Sequence, residues 1–498
     1  MCNYPWRRLC VGVLLLAATG CTSKAHVATS GSLGSATFVG ERRGGLGGSA
    51  VIATDLDGDG FADIVLGDGN VDHGEPQEGS VYVFYGRSER FRGSIPVHEA
   101  DAILIGESRY AHAGEQLAAA GDVDGDGYGD LLVGAPHTMM SDGGSSAAYL
   151  VYGGPTRLAG TSRLSTVAVR FDPPADRASM GYRVAGGGDI DGDGLDDVLV
   201  SAPLDVGGAV DRIGNVYLLR GRRARYRGVL TVDELDLRIT GGASLMVRLG
   251  ASFAGDIDGD GYDEMLVEME GSDPSSRIGA VALFYGGPGP WEGVLGPEQA
   301  DLVIGETHPL WVTMGSAGDF DGDGLADIAV PSVSVTDIRF DVFYGRRHRL
   351  TGSLDAGDAD FTVHPEDPAS YLGAGLGVGD ADGDGVSDLA IGDPHNPLGG
   401  GVQAGALYLL YGDHERRLGT LDLTAEDVVV RGRSGLTDRS PSSDLGYGVA
   451  SGGDVDGDGE GGGVVAEVGP GALGRRDGRC SVELVGDRAH AAPPVPYC

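Results

Sequence analysis

The sequence has almost no lysine and few cysteines, and it lacks the short motifs that mark common catalytic sites. Lys24 is the single lysine among 36 basic residues, so the chain after it has neither a P-loop lysine nor a lysine able to form a Schiff base. The five cysteines form no paired motif, and zinc-helix, nucleophile-elbow and dinucleotide-binding signatures are absent. We therefore predict no catalytic residues and no organic cofactor.

Long hydrophobic runs are also missing, except near the N-terminus. There, two arginines precede an apolar run over residues 9–18 that is too short to span a bilayer permanently. The following Ala18-Thr19-Gly20-Cys21 resembles a bacterial lipobox, which implies cleavage before a lipidated cysteine. We predict a signal peptide over 1–20, lipidation at Cys21 and a flexible tether over 21–35. The alternative is cleavage to a freely secreted protein.

This export signal sets the expected location. We expect a protein anchored by lipid at the cell envelope, at the outer membrane or cell surface, with no other membrane contact. Outside the cell, a disulfide between Cys480 and Cys498 is permitted, although two cysteines do not establish it. The formal net charge of −38 should repel nucleic acid and anionic lipid headgroups, so no nucleic-acid partner is expected.

A nine-residue segment that begins D-x-D-G-D-G, with Asp or Glu at position 9 in the first six copies, recurs through the chain. It occurs seven times, at intervals of 61 to 74 residues, and a fixed period of this kind predicts a repeat architecture. The copies begin at Asp55, Asp122, Asp189, Asp256, Asp319, Asp380 and Asp454.

Each copy has the donors that Ca²⁺ prefers. Carboxylates at positions 1, 3, 5 and 9 of a tight turn, with the backbone carbonyl of position 7, form an all-oxygen ligand set. Glycines at positions 4 and 6 permit the positive φ angles that such a turn requires. The predicted metal ligands are Asp55, Asp57, Asp59, Phe61, Asp63; Asp122, Asp124, Asp126, Tyr128, Asp130; Asp189, Asp191, Asp193, Leu195, Asp197; Asp256, Asp258, Asp260, Tyr262, Glu264; Asp319, Asp321, Asp323, Leu325, Asp327; Asp380, Asp382, Asp384, Val386, Asp388; and Asp454, Asp456 and Asp458.

The seventh copy departs from the pattern. Gly462 stands at position 9, and the run Glu460-Gly461-Gly462-Gly463 follows the last aspartate. Either this repeat has drifted or the reading frame slipped near residue 460. We therefore expect about six well-formed Ca²⁺ sites and weak or absent metal binding at the seventh.

An EF-hand also starts with D-x-D-x-D-G, but it needs a bidentate glutamate at position 12 and flanking helices. Here position 12 is always aliphatic, as in Leu66 and Val133. Positions 10 and 12 are both apolar in most copies, which indicates a β-strand after the loop. An EF-hand is therefore rejected.

Each repeat contains four short strand patterns, and the one before the loop is built from small residues such as Ala118-Ala119-Ala120. Four antiparallel strands repeated radially describe a β-propeller, whose innermost strands crowd together. A solenoid or a string of separate domains fits less well, because about 60 residues hardly bury an all-β core alone. The predicted fold is therefore all-β, a propeller of seven four-stranded antiparallel blades with the loop between the first and second strands.

Short motifs on either side of the loop resemble those of a known repeat family. Pairs such as Leu249-Gly250 before the loop, and Gly134-Ala135-Pro136 after it, resemble the FG-GAP repeats of the integrin α-chain N-terminal propeller. The resemblance covers residues 36–486 and implies seven blades with Ca²⁺ in the loops. Residues 36–41 match an outer-strand pattern, so we expect them to close the seventh blade, with 487–498 as a tail.

The resemblance also implies a function. We expect a calcium-stabilised cell-surface binding or adhesion scaffold that recognises a protein or glycan through its propeller loops. The alternatives are a polysaccharide-acting lyase or hydrolase on a calcium propeller, and a purely structural envelope lipoprotein. The ligand, the face that binds it and any partner chain stay open.

Overall fold

The computed structural model describes residues 36–40, 51–89, 91–136, 145–173, 178–204, 214–241, 245–271, 279–307, 314–333, 338–365, 371–380, 384–396, 405–423, 428–431, 445–451, 463–467 and 481–485. The predicted signal peptide, tether and tail lie outside these stretches, as do all cysteines and the seventh-copy aspartates. Lipidation at Cys21, the disulfide and the state of the seventh loop therefore stay predictions.

The described part of the chain is built almost wholly from short β-strands. The first three repeats comprise β2 (Val51–Thr54), β3 (Asp63–Asp68), β4 (Ser80–Phe84), β5 (Gly93–Pro96) and β6 (Ala102–Ile105); β7 (Gln116–Gly121), β8 (Asp130–Ala135), β9 (Ala147–Val151), β10 (Gly160–Arg163) and β11 (Val169–Asp172); and β12 (Val184–Gly188), β13 (Asp197–Ala202), β14 (Asn215–Leu219), β15 (Val229–Thr231) and β16 (Leu237–Thr240).

The later repeats follow the same order. They comprise β17 (Leu245–Gly255), β18 (Glu264–Gly271), β19 (Gly279–Phe284), β20 (Gly293–Leu295) and β21 (Leu302–Thr307); β22 (Gly315–Gly318), β23 (Asp327–Val333), β24 (Ile338–Phe343), β25 (Gly352–Leu354) and β26 (Phe361–His364); β27 (Leu376–Gly379), β28 (Asp388–Asp393), β29 (Ala406–Leu410), β30 (Gly419–Asp422) and β31 (Val428–Arg431); and β32 (Leu445–Ser451), β33 (Gly463–Glu467) and β34 (Ser481–Val485), with β1 (Ala36–Val39) at the start of the chain.

Helical structure is confined to single turns between the fourth and fifth strands in chain order. The described turns are α1 (Leu164–Val167) and the 3₁₀ turns Val97–Glu99, Val232–Glu234, Pro297–Gln299 and Ala356–Asp358. The fold is an all-β propeller.

Within one repeat, four strands form an antiparallel sheet. In the second repeat the order is β7, β8, β9 and β11. Strands β8 and β9 are buried along their whole length, because both of their faces are covered by neighbouring sheets, and their sequences are accordingly almost continuously apolar. This agrees with the four-stranded pattern predicted for each repeat.

The innermost strands need small residues because they approach one another closely. They contact each other in chain order, from β2 through β7, β12, β17, β22 and β27 to β32, and β32 contacts β2. A Cβ added at Gly186 would lie 2.6 Å from the Cα of Ala120 in the preceding repeat. A larger residue there would push the two strands apart.

The structure adds a fifth strand that the sequence patterns did not predict. Short strands pair in parallel with the outer strand of the preceding repeat, as β10 does with β6 and β15 with β11. Each such strand starts at or just after a glycine with positive φ, for example Gly160 at φ 65°. These strands cover sheet edges that would otherwise offer unpaired backbone groups.

The predicted count of seven blades is not supported by the sheets, because the described strands form six hydrogen-bonded sheets. The fourth and fifth repeats share one ten-stranded sheet. Thr307, the last residue of β21, pairs with Gly279 of β19 and also bridges Ser332 of β23 in the next repeat. This one bridge joins two four-stranded sets into a single sheet.

The last repeat takes its outer strand from the beginning of the described chain. Strand β1 pairs antiparallel with β34, with Phe38 opposite Val482. The Phe38 ring is fully buried, with its centroid 4.5 Å from that of Phe84 and 5.7 Å from that of Phe91 in the first repeat. Strand β1 therefore joins the last repeat to the first.

We expect Phe38→Ala to lower the free energy of unfolding by about 3–5 kcal/mol, because it leaves a cavity where the first and last repeats meet. Urea denaturation of the full chain followed by circular dichroism measures this. Val229→Ala is the control, since the Val229 side chain is 53% exposed. Equal stability of the two variants would contradict a joining role for β1.

Candidate metal-binding loops

Each Asp-rich segment forms the turn between the first and second strands of its repeat. In the second repeat, β7 ends at Gly121 and β8 begins at Asp130, so position 1 follows one strand and position 9 starts the next. The turns of repeats one to six lie at the same place. In the sixth copy, Asp382 is outside the described residues, and the whole seventh turn is as well.

The carboxylate at position 1 holds the turn in shape. Asp122 Oδ1 accepts a hydrogen bond of 3.0 Å from the Asp126 N–H, and its Oδ2 accepts one of 2.8 Å from the Gly127 N–H. Gly125 and Gly127 adopt φ angles of 68° and 91°, which residues with a Cβ rarely adopt. The glycines at positions 4 and 6 are thus required by the turn itself.

The structure brings the carboxylates of positions 1, 3 and 9 together in the first five copies. In each group, one oxygen from every residue lies within 4.8 Å of the others. The fourth copy also includes position 5. The groups are Asp55, Asp57 and Asp63; Asp122, Asp124 and Asp130; Asp189, Asp191 and Asp197; Asp256, Asp258, Asp260 and Glu264; and Asp319, Asp321 and Asp327.

Other predicted ligands lie in the turns but outside these groups. The position-5 carboxylates of the first, second, third and fifth copies are not among the converging oxygens, nor are the described ligands of the sixth copy. The position-5 carboxylate accepts a hydrogen bond from the backbone N–H of position 7. For example, the Tyr128 N–H donates to Asp126 Oδ1 at 3.2 Å. These predicted ligands outside the groups are Asp59, Asp126, Asp193 and Asp323; Asp380, Asp384 and Asp388; and, at position 7, Phe61, Tyr128, Leu195, Tyr262, Leu325 and Val386.

The carboxylate at position 9 connects the loop to the third strand of the same repeat. Asp130 is fully buried, and its oxygens accept the N–H groups of Val123, at 3.0 Å, and Gly153, at 2.8 Å. The pKa of Asp130 is raised to about 7, mainly by burial and to a lesser extent by the carboxylates of Asp124 and Asp122, against the lowering effect of these hydrogen bonds. Burial similarly raises the pKa of Glu264 to about 8.

These groups fit a divalent cation. The donors are all oxygen, which suits a hard ion such as Ca²⁺. Asp124 is 4% exposed, and its Oδ1 is buried with no hydrogen-bond partner in the described structure. The Oδ1 of Asp191 is in the same state. A buried carboxylate oxygen without a partner is costly, and a bound cation would satisfy it.

The loops are hydrogen-bonded to one another from the first copy to the sixth. The N–H of position 8 donates to the position-1 carbonyl of the preceding loop, as Gly129 does to Asp55 at 2.9 Å and Ser387 to Asp319 at 2.9 Å. The geometry of one turn therefore depends on its neighbour.

The sequence analysis missed a set of arginines that contact the loop carboxylates. For example, Arg157 of the second repeat forms ion pairs with Asp57 and Asp59 of the first repeat. The available signal was positional, since an arginine follows the last aromatic residue of the third-strand pattern by five residues in several repeats, as Arg157 follows Tyr152.

In metal-free buffer, we expect the melting temperature to fall as pH rises from about 4 to about 7. The position-9 aspartates have a pKa near 3.8 when unfolded and about 7 when folded. The folded chain therefore holds protons that the unfolded chain releases over this window, and stability decreases with pH. Thermal scans of calcium-free protein check this. A rising melting temperature across the window would contradict it, and Asp130→Asn should flatten part of the slope.

Among the described residues, no helix is long and apolar enough to cross a membrane. Three segments, residues 47–84, 113–151 and 180–219, match the FG-GAP repeat family. Each segment spans a metal-binding loop and the strands on either side.

Similar proteins include integrin α chains. Integrin alpha pat-2 of Caenorhabditis briggsae is 29% identical over 201 residues, 39% of this chain and 16% of that protein. Integrin alpha-4 of Xenopus laevis is 27% identical over 255 residues, 49% of this chain and 23% of that protein. Phosphatidylinositol-glycan-specific phospholipase D of Rattus norvegicus is 33% identical over 201 residues, 36% of this chain and 22% of that protein.

The chain thus spans less than a quarter of the length of these relatives. The matching segments and the sheet topology agree on the same architecture. The chain contains FG-GAP repeats, folds as an all-β propeller and has integrin α-chain homologues.

Proposed function

We propose that this protein is a calcium-stabilised, cell-surface binding scaffold that presents propeller loops to a protein or glycan ligand. The observation that carries the proposal is the recurrence of converging carboxylates in five described loops of a propeller similar to integrin α chains. The role of the metal is structural. It neutralises the carboxylates and fixes the hairpin between the first and second strands.

The ion that fits is Ca²⁺, at about six sites. Extracellular modules bind Ca²⁺ with Kd of roughly 10⁻⁴–10⁻³ M. At about 1 mM Ca²⁺, a loop at the tighter end of this range contributes about 1.4 kcal/mol to stability. Several such loops together match the whole stability of an ordinary domain.

We further propose that the ring has seven blades. The closed series of contacts among seven innermost strands supports this count. The ten-stranded sheet then comprises two blades, because only the bridge between Thr307 and Ser332 joins their antiparallel sets. A crystal structure with calcium in which the fourth and fifth repeats form one wedge would contradict it.

The ligand is expected at the end of the propeller opposite the metal loops, which we call the variable end. It comprises the connections from second to third strands and from one repeat to the next. The metal turns of the first six repeats keep a constant length between strands, whereas connections at the variable end do not. Residues 334–337 separate β23 from β24, a gap of four, but residues 394–405 separate β28 from β29, a gap of twelve. Loops that vary on a constant scaffold are typical binding elements.

Backbone strain is also concentrated at the variable end. Gln77, Tyr110, His112 and Ser179 are the non-glycine residues with positive φ among those the structure describes. All four lie in connections of this end. Residues held in this region cost free energy and are frequent at binding sites.

Calcium should raise the melting temperature of the full chain, and chelation should lower it. We expect Asp124→Asn to remove about one bound ion and part of this increase, because it weakens one ligand of one loop. Isothermal titration calorimetry and thermal scans measure both effects. Asp233→Asn is the charge-matched control, since Asp233 is exposed and outside the loops. The same melting temperature with calcium and with chelator would refute the structural role of the metal.

Ligand binding is tested with labelled full-length protein on a glycan array, in calcium and in chelator. We expect retention in calcium only, reduced by His73→Ala with Glu75→Ala at the variable end. Ser88→Ala with Glu89→Ala, in a connection at the metal end, is the control and should not reduce it. Failure to retain any glycan would favour a protein ligand or a structural role, and turnover of a printed glycan would favour the enzyme alternative.

A further inference from the structure

An arginine contacts the third-position carboxylate in each of the five described carboxylate groups. In four of them the arginine belongs to the following repeat and also bonds the fifth-position carboxylate. The pairs are Arg157 with Asp57 and Asp59, Arg225 with Asp124 and Asp126, Arg349 with Asp258 and Asp260, and Arg416 with Asp321 and Asp323. We call these four residues the bridging arginines.

Each bridging arginine is fixed by an aromatic ring of the repeat that it contacts. The Arg157 guanidinium lies 4.7 Å from the centre of the Tyr85 ring. The hydroxyl oxygen of the same tyrosine accepts the Leu158 N–H at 2.7 Å. The equivalent rings are Tyr152 for Arg225, Tyr285 for Arg349 and Tyr344 for Arg416, at 4.7, 4.6 and 5.1 Å. The aromatic ring thus helps to fix the orientation of the guanidinium that contacts the carboxylates.

In the third loop, a different arginine makes the contact with the third-position carboxylate. The position that would supply its bridging arginine is occupied by Pro290, which has no charge. Arg220 replaces the tyrosine at the end of its own third strand, and its Nη1 lies 2.9 Å from Asp191 Oδ2. The guanidinium is therefore present although it comes from a different strand and repeat. A contact that persists when its source changes indicates that the loop requires it.

In the second and third loops, the contact leaves one oxygen of the third carboxylate for another partner. In the first, fourth and fifth loops, Oδ1 of the third carboxylate accepts the position-5 N–H, at 3.2, 3.1 and 3.2 Å. Arg225 bonds Oδ2 of Asp124, while Oδ1 is buried without a hydrogen-bond partner. Arg220 likewise bonds Oδ2 of Asp191, and Oδ1 has no partner. A planar guanidinium that bonds the outer oxygen fixes the rotation of the carboxylate and thereby aims the inner oxygen into the group.

We propose that the bridging arginines and Arg220 are positioning residues of the metal loops, outside the ligand set. Each orients the third carboxylate toward the ion, and the four bridging arginines make the metal site of one repeat depend on the next repeat. This inference rests on the proposed binding of Ca²⁺. Its rival is simple neutralisation, in which the positive charge offsets excess carboxylates and competes with the ion.

The two roles predict opposite effects of Arg157→Gln. If Arg157 positions Asp57, calcium affinity at the first loop falls about 10–100-fold, as it does when outer-sphere partners of metal ligands are removed. If Arg157 only neutralises, affinity rises, because a nearby positive charge is gone. Arg157→Lys keeps the charge but lacks the planar fork, so positioning predicts weakened binding and neutralisation predicts wild-type binding.

The experiment is calcium titration calorimetry of the full chain, with thermal scans in calcium and in chelator to confirm folding. We expect one weakened site in Arg157→Gln and Arg157→Lys. Arg220→Gln should weaken one site in the same way. The control is Arg87→Gln, since Arg87 lies in the same kind of connection and stacks on Phe91.

The possible outcomes distinguish failure of the positioning role from failure of the proposed Ca²⁺ binding. Wild-type protein that binds no Ca²⁺ would refute the proposed metal sites themselves. Wild-type protein that binds, with Arg157→Gln binding equally or more tightly, would overturn only the positioning role. Should Arg157→Gln fail to fold, Arg157→Lys decides, because wild-type affinity in that variant contradicts positioning.

Discussion

The constraint on which this structure depends is the close approach of like charges in the metal loops. Three carboxylates offer oxygens within 4.8 Å of one another, a separation at which like charges repel strongly in a partly buried site. The position-9 carboxylate cannot move away, because its two backbone hydrogen bonds connect the loop to the third strand. The charge must therefore be compensated by protons, guanidinium groups or a cation.

The geometry of each charged loop is coupled to that of the neighbouring repeats. The hydrogen bond from position 8 to the preceding position 1 connects successive loops. Glycine at position 4 leaves room for the next repeat as well, because a Cβ at Gly58 would lie 2.7 Å from the Tyr128 ring. A change in the geometry of one turn therefore disturbs the packing of the next. Stability in such an array is the sum of contributions from each repeat and from each interface between repeats. Here the loop takes part in both, because it joins two strands of its own repeat and contacts the next repeat.

Much of this could be predicted from the sequence, because the determinants are local. Small residues before the loop, aspartates at fixed spacing and apolar residues after it predicted strand, turn and strand in each described repeat. The parallel fifth strands were missed, since three or four exposed residues such as Gly160–Arg163 show no alternation. The fused sheet was missed because it depends on one bridge, and the bridging arginines because Arg157 and Asp57 are 100 residues apart in the chain.

The two ends of the propeller are under different constraints, and this difference bears on function. At the metal end, a change in loop length would displace a carboxylate from its group, and the turns of the first six repeats all share one length. At the variable end no such group exists among the described residues, and insertions cost only the entropy of closing a longer loop, which grows slowly with length. A ring whose turns are fixed at one end can therefore vary its other end without losing its fold. That separation allows one architecture to present different binding surfaces.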